Sequence, residues 1–160
     1  VPEHTLLVVD DEVVVRRSIS RVFGNEGFRV SEAASLREGL ELFRASPPDA
    51  ALVDYMLPDG DGIELLRSLR AMDSATPIVI LTGHGSIDLA VQAMREGADD
   101  FITKPIDLGA LVLILRRVIE NSRNRQLTLA QQSRQARARA LRFACSGSGR
   151  GVLSIPRCRS

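Results

Sequence analysis

Asp10, Asp11 and Asp54 offer carboxylates, Thr82 a hydroxyl and Lys104 an ammonium. Each of these sites follows a short run of strand type: TLLVV before Asp10, AALV before Asp54, IVIL before Thr82 and FIT before Lys104. Lys104 is the one lysine among 21 basic residues. If those runs are neighbouring strands, the groups meet at one edge. Carboxylates packed that closely repel and their pKa values climb, unless a cation sits among them. Asp10, Asp11 and Asp54 carry −3 and Lys104 +1, so a magnesium ion would bring the sum to zero. Magnesium takes few protein carboxylates, keeps several waters and fills its remaining positions with phosphate oxygens, which suits so sparse a ligand set. The arrangement points to phosphoryl transfer to a carboxylate: Asp54 as nucleophile, Lys104 and Mg²⁺ neutralising the phosphoryl oxygens, Thr82 hydrogen-bonding one of them. Lysine fits as a compact charge, whereas a guanidinium is broad and prefers forked contacts. Pro105 restrains Lys104 to extended backbone and admits a cis bond, which aims the side chain.

Taken singly, these residues are ordinary. An Asp-Asp pair after a strand suits a helix cap, Asp54 before Pro58-Asp-Gly suits a turn, Thr82 suits a strand end and Phe101 suits a core. Their joint placement at the ends of four different strands is what selects the site. His84, between Gly83 and Gly85, reads as an exposed residue in a loop that moves, not as a phosphodonor or ligand.

The elements that must position these groups alternate. Strand-type runs at Thr5–Val9, Phe28–Ala33, Ala50–Val53, Ile78–Leu81 and Phe101–Ile102 are separated by segments of helical length and period. Ser35-Leu-Arg-Glu38 and Asp61-Gly-Ile-Glu64 have the form of capping boxes, Ser86 opens a helix that stops at Gly97, and Asp107 opens the last one. Five strands and five helices in alternation predict a doubly wound α/β fold with a five-stranded parallel sheet. Ligands bind such sheets outside the carboxyl ends of the strands, where the strand order reverses. Leu108, Leu111, Leu115 and Val118 form an apolar stripe for packing the last helix on the sheet.

Charge divides the chain. Residues 1–120 hold twelve basic and all twenty acidic residues, a net −8, and residues 121–160 hold nine arginines and no acid, +9. Residues 123–142 read as a basic helical extension or linker and residues 143–160 as a disordered tail. Arginine without aromatics usually marks a solvated helix face, so direct nucleic-acid binding by the tail is not expected. Cys145 and Cys158 lack the spacing of a metal site or a disulfide framework and read as free thiols. No apolar run reaches the roughly 18 residues of a membrane span, and no leader pattern opens the chain, which reads as soluble and cytoplasmic.

LVVDDE, DYMLPDGDG, LTGHGS and FITKPID, in this order and spacing, resemble the receiver domain of two-component response regulators over residues 4 to about 122, with the domain placed at 1–122. The resemblance implies a flavodoxin-like, CheY-like fold and phosphorylation of Asp54 by a sensor histidine kinase. It also implies Mg²⁺ on Asp11, Asp54 and the Met56 backbone carbonyl, with Asp10 acting through water, Lys104 as phosphate-binding lysine, and Thr82 and Phe101 as a switch pair. Within the family, LPDGDGIELL and LTGHGSIDLAVQAMREGADDFITKP are most similar to receivers of NtrC-like transcription activators. Those proteins continue into an ATPase domain and a DNA-binding domain; this chain has neither a GxxxxGK[ST] loop nor room for a helix-turn-helix, so it reads as an isolated receiver or the front piece of a longer regulator. A homodimer through the last helix and its extension is expected.

Other functions remain open on the residues alone. A magnesium-dependent phosphatase with an aspartyl nucleophile uses similar parts, but such enzymes carry DxD after the first strand and a cap over the substrate, whereas this strand ends in DDE. A flavodoxin-like cofactor binder needs hydroxyls and amides in its first loop, where three acids would repel a phosphate. A stand-alone receiver acting through protein contacts alone is a further alternative. The resemblance implies a phosphoacceptor that assists its own magnesium-dependent phosphorylation and dephosphorylation, and not an enzyme.

Overall fold

The computed structural model describes residues 4–83 and 85–146. Its elements are β1 (His4–Val9), α1 (Val13–Asn25), β2 (Phe28–Ala33), α2 (Leu36–Ala45), β3 (Ala50–Asp54), β4 (Met56–Leu57), β5 (Gly60–Asp61), α3 (Gly62–Met72), β6 (Ile78–Thr82), α4 (Ile87–Arg95), β7 (Asp100–Thr103) and α5 (Leu108–Ser146). By its internal contacts the chain divides into two units, Val1–Ser122 and Arg123–Ser160.

In the first unit, five parallel strands form one sheet in the order β2-β1-β3-β6-β7, the doubly wound arrangement read from the alternation of elements. The two-residue period of β1 shows how the sheet is covered. Leu6 and Val8 join the core under α1 and α5, with Ile19, Phe23 and Leu115, while Leu7 and Val9 join a second core under α2 and α3, with Phe43 and Leu66. β3 and β6 are buried at every position, as strands covered on both faces must be. Each such aliphatic side chain contributes about 1.5–3 kcal/mol by leaving water.

Helix starts follow the local chemistry. Ser35, Asp61 and Ser86 each accept the backbone N–H three residues on, and Asp107 accepts that of Ala110. The box at α2 is modified: Glu38 turns back to the Ala34 N–H at 2.9 Å, and Asp59 supplies a second, tertiary cap by accepting from Leu36 and Arg37 at 2.8 and 3.0 Å. Those backbone bonds hold the Asp59 carboxyl below its ordinary range. α4 ends before Gly97, whose φ of 103° is left-handed.

Two features differ from the sequence expectation. The turn at Pro58-Asp59 closes a small antiparallel hairpin, β4 with β5, which alternation of long elements does not reveal. Helix α5 runs to Ser146, beyond the boundary at 142, because Phe143, Ala144, Cys145 and Ser146 contain no helix breaker and the next glycine after Gly109 is Gly147. The rest of the expected disordered tail, with Cys158, lies outside the described residues, as does His84. Residues 123–144 are exposed throughout. Leu111, Leu115 and Val118 are buried within the first unit, at 1%, 0% and 7% exposure. Among the described residues no helix is long and apolar enough to cross a membrane.

Candidate functional site

β1 is flanked by β2 on one side and β3 on the other, so the chain reverses its direction of winding between β1 and β3. The carboxyl ends of these strands diverge into a crevice there. Asp10 directly follows β1, Asp54 closes β3 and Thr82 closes β6. All three are buried, at 0%, 4% and 1% exposure. Lys104 directly follows β7 and is joined to Pro105 by a cis bond, and its N–H donates to the Thr82 carbonyl at 2.7 Å.

Lys104 Nζ reaches the Asp10 carboxylate at 3.0 Å, Glu12 Oε1 at 3.3 Å and Asp54 Oδ2 at 3.4 Å. Asp10 and Asp54 are buried, so little water screens their pairs with the ammonium. Burial, and then the charge of Asp10, push the Asp54 carboxyl from an ordinary 3.8 up to about 6, against the opposite pull of Lys104. For Lys104 itself, burial pulls downward, yet the hydrogen bond it donates to Asp10, the charges of Asp10 and Asp54 and the hydrogen bond it donates to Glu12 together hold the ammonium above its usual pKa.

Asp10, Glu12 and Asp54 bring one carboxylate oxygen each within 4.8 Å of one another. This is a hard, oxygen-only donor set with more negative charge than one ammonium can balance, and it fits a divalent cation of the magnesium or calcium kind. Asp11 is exposed and stands outside this group. The reason is a local turn: Asp10 Oδ1 accepts the Glu12 N–H at 2.9 Å, which bends the chain at Asp11 and brings Glu12 back over the cluster. Met56 lies two residues beyond Asp54 at the start of β4, its side chain exposed at 63%. Phe101 lies beside Ile80 in the β6–β7 register, half-buried against the core under α2 and α3. A Cβ added at Gly85 would come 3.9 Å from the Phe101 ring.

Reasoning from types and spacing missed Glu12 and Gly62. Glu12 was readable as the third acid of DDE, but which of three consecutive acids turns inward is a matter of backbone. Gly62 packs so closely that a Cβ there would meet the Asp54 carbonyl oxygen at 2.6 Å and Tyr55 Cα at 2.9 Å. Its N–H also donates to the Tyr55 carbonyl at 2.7 Å, so this glycine lets α3 brace the strand end that presents Asp54.

Fold and site together define a class: a doubly wound α/β domain with a lysine-bridged acidic cluster at the switch point of its sheet. Within that class the chain belongs to the response regulator receiver domain family, whose pattern matches residues 6–116. It is 39% identical to the regulatory protein AtoC of Escherichia coli over 117 residues, which is 73% of this chain and 25% of AtoC. It is 37% identical over 134 residues to the C4-dicarboxylate transport transcriptional regulatory protein DctD of Pseudomonas aeruginosa, 81% of this chain and 29% of DctD. The chain thus spans about a quarter of the length of these relatives. Among solved structures, NtrX from Brucella abortus superposes with a TM-score of 0.78 at 32% identity, covering 82% of this chain and 30% of NtrX. A CheY-like receiver domain protein from Methanospirillum hungatei does so with a TM-score of 0.73 at 28% identity, covering 76% of this chain and 97% of that one.

Proposed function

We propose that Asp54 is the phosphoacceptor of this receiver domain, that a sensor histidine kinase is the donor, and that the phosphorylated domain presents an altered surface in the control of transcription. The observation that carries the reading is the meeting of Asp54 and Lys104, 3.4 Å apart, inside a buried acid cluster at the switch point. The Asp54 carboxylate attacks the phosphorus of a phosphohistidine; a P–O bond forms, the P–N bond breaks, and the imidazole leaves with the electron pair. Lys104 then neutralises charge on the new phosphoryl oxygens. Asp10, Asp11 and Asp54 would hold Mg²⁺, with Met56 contributing its carbonyl and Glu12 adding negative charge on the solvent side of the cluster. When bound, the ion supplies further neutralisation of those oxygens. The raised pKa of Asp54 supports this assignment, since it marks a carboxylate cluster short of positive charge.

A phosphoryl group adds a charge of about −1.5 to −2. Thr82, at the buried end of β6, hydrogen-bonds it, and Phe101 moves toward the space Thr82 leaves, reshaping the face of α4, β7 and α5. On this reading the domain is modified once per signal and is not a turnover enzyme. Pairing of two copies belongs to the same reading. With Leu111, Leu115 and Val118 buried, it would use the exposed Leu127, Leu129 and Leu141 of α5, and sedimentation with and without a phosphoryl analogue tests it. The central test is intact mass after acetyl phosphate and Mg²⁺. The parent gains one phosphoryl group and Asp54→Ala gains none; equal gain by both overturns the assignment.

A further inference from the structure

Of the five helices among the described residues, four open with a short polar side chain that closes its own first turn: Ser35, Asp61, Ser86 and Asp107. Helix α1 does not. Its cap position is Glu12, and the Glu12 side chain makes no cap hydrogen bond. Serine, threonine, aspartate or asparagine would make that bond and stabilise the helix start. The Glu12 carboxylate reaches Lys104 instead, at 3.3 Å. Of the three anions around the ammonium, Asp10 and Asp54 are buried, and Glu12 is 59% exposed, so Glu12 marks the solvent side of the cluster. A pair with so exposed a partner adds little to stability. Its effect is on where the ammonium sits.

We propose that Glu12 is a positioning residue for Lys104: it draws the ammonium toward the solvent side of the acid cluster in the resting domain and gives it up when a phosphoryl group arrives on Asp54. The inference rests on the assignment of Asp54 as phosphoacceptor. A phosphoryl group carries about −1.5 to −2 charge and three acceptor oxygens, so it outcompetes one exposed carboxylate for the same ammonium. Until then, Glu12 holds back part of the charge that Asp54 chemistry needs and adds a negative charge where an anionic donor must approach.

Because Lys104 is the only lysine, ¹³Cε-lysine labelling of the full chain yields a single resonance that reports its surroundings. Glu12→Gln is expected to displace that resonance in the metal-free protein, while the variant and parent converge when beryllofluoride with Mg²⁺ occupies Asp54 as a phosphoryl mimic. At saturating Mg²⁺, acetyl phosphate should label Asp54 in this variant about 3–10-fold faster. Glu12→Asp keeps the charge, shortens the reach and fits the cap. It should raise Tm by a few degrees yet match Glu12→Gln in the lysine signal. A resting lysine signal unchanged by Glu12→Gln, or a parent-like signal in Glu12→Asp, overturns the pairing. A difference that persists under beryllofluoride overturns the release. A parent that takes no phosphate on Asp54 sinks the phosphoacceptor reading instead, and leaves the resting lysine signal to decide the Glu12 contact.

Discussion

The ammonium of Lys104 lies 3.4 Å from the Asp54 carboxylate, so the end of β3 is tied to the segment leaving β7 across the width of β6. Replacing this compact charge by the broad fork of arginine keeps the sign but not the fit. Lys104→Arg is expected to fold with Tm within about 2 °C of the parent, yet to lose threefold or more of the beryllofluoride-induced change at Thr82 and Phe101. Amide chemical shifts of those two residues provide the measurement; a full-sized change in the arginine variant would count against a geometric role for the lysine.

Asp54 is protonated more readily in the folded domain than in an unfolded chain, with a pKa of about 6 against 3.8. The native state therefore binds the proton more tightly, and the stabilisation that protonated Asp54 supplies is complete below the unfolded value and lost as pH rises through about 6. Asp54→Asn removes the ionisable group. In EDTA it should be more stable than the parent at pH 7.5, with the gap shrinking as pH falls through 6 and closing near 4. Thermal melts of both proteins across that range decide it, and a gap that widens toward acid would contradict the sign.

Gly62 faces the backbone of Asp54 and Tyr55 with no room for a Cβ. Gly62→Ala must push α3 away from the strand end or shift Asp54 itself. The expected loss is about 1–3 kcal/mol, the range for overpacking, accompanied by slower labelling of Asp54 by acetyl phosphate at a temperature where the variant is still folded. Denaturant melts and intact mass read the two effects separately.

Away from the site, Arg70 fastens three segments. Its guanidinium donates to the Gly97 carbonyl at 2.9 and 2.7 Å, to the Thr76 carbonyl, and to Asp99 at 2.9 Å, and Asp99 in turn accepts the Ile78 N–H at 2.8 Å. Arg70 and Asp99 are only 17% and 14% exposed, so the bonds are little weakened by water. Arg70→Met should cost about 2–4 kcal/mol, because the Asp99 carboxylate and the Gly97 and Thr76 carbonyls lose their donor. A change below about 0.5 kcal/mol in urea melts would show that the clamp is dispensable.

The order of strands and helices was legible because it is written in local periods. TLLVV and IVIL are too short and too uniformly apolar for surface helices, and Ser35, Asp61, Ser86 and Asp107 announce helix starts through hydrogen bonds that span only three residues. The site was legible for a related reason. In a parallel sheet every strand points the same way, so residues that end strands in the sequence share an edge in space, and Asp10, Asp54, Thr82 and Lys104 could be brought together without coordinates.

Sequence by itself thus determined the alternating architecture, the edge at which Asp10, Asp54, Thr82 and Lys104 end their strands, and the identity of the lysine there. Only the tertiary structure decided which acids meet that cation. The bend at Asp11 puts Glu12 and not Asp11 beside Lys104, and the approach of Gly62 to Asp54 depends on how α3 lies against β3. Periodicity assigns a residue to a face or an end, but distances of about 3 Å between groups 92 or 94 positions apart are set by packing, where a single backbone turn exchanges one neighbour for the next.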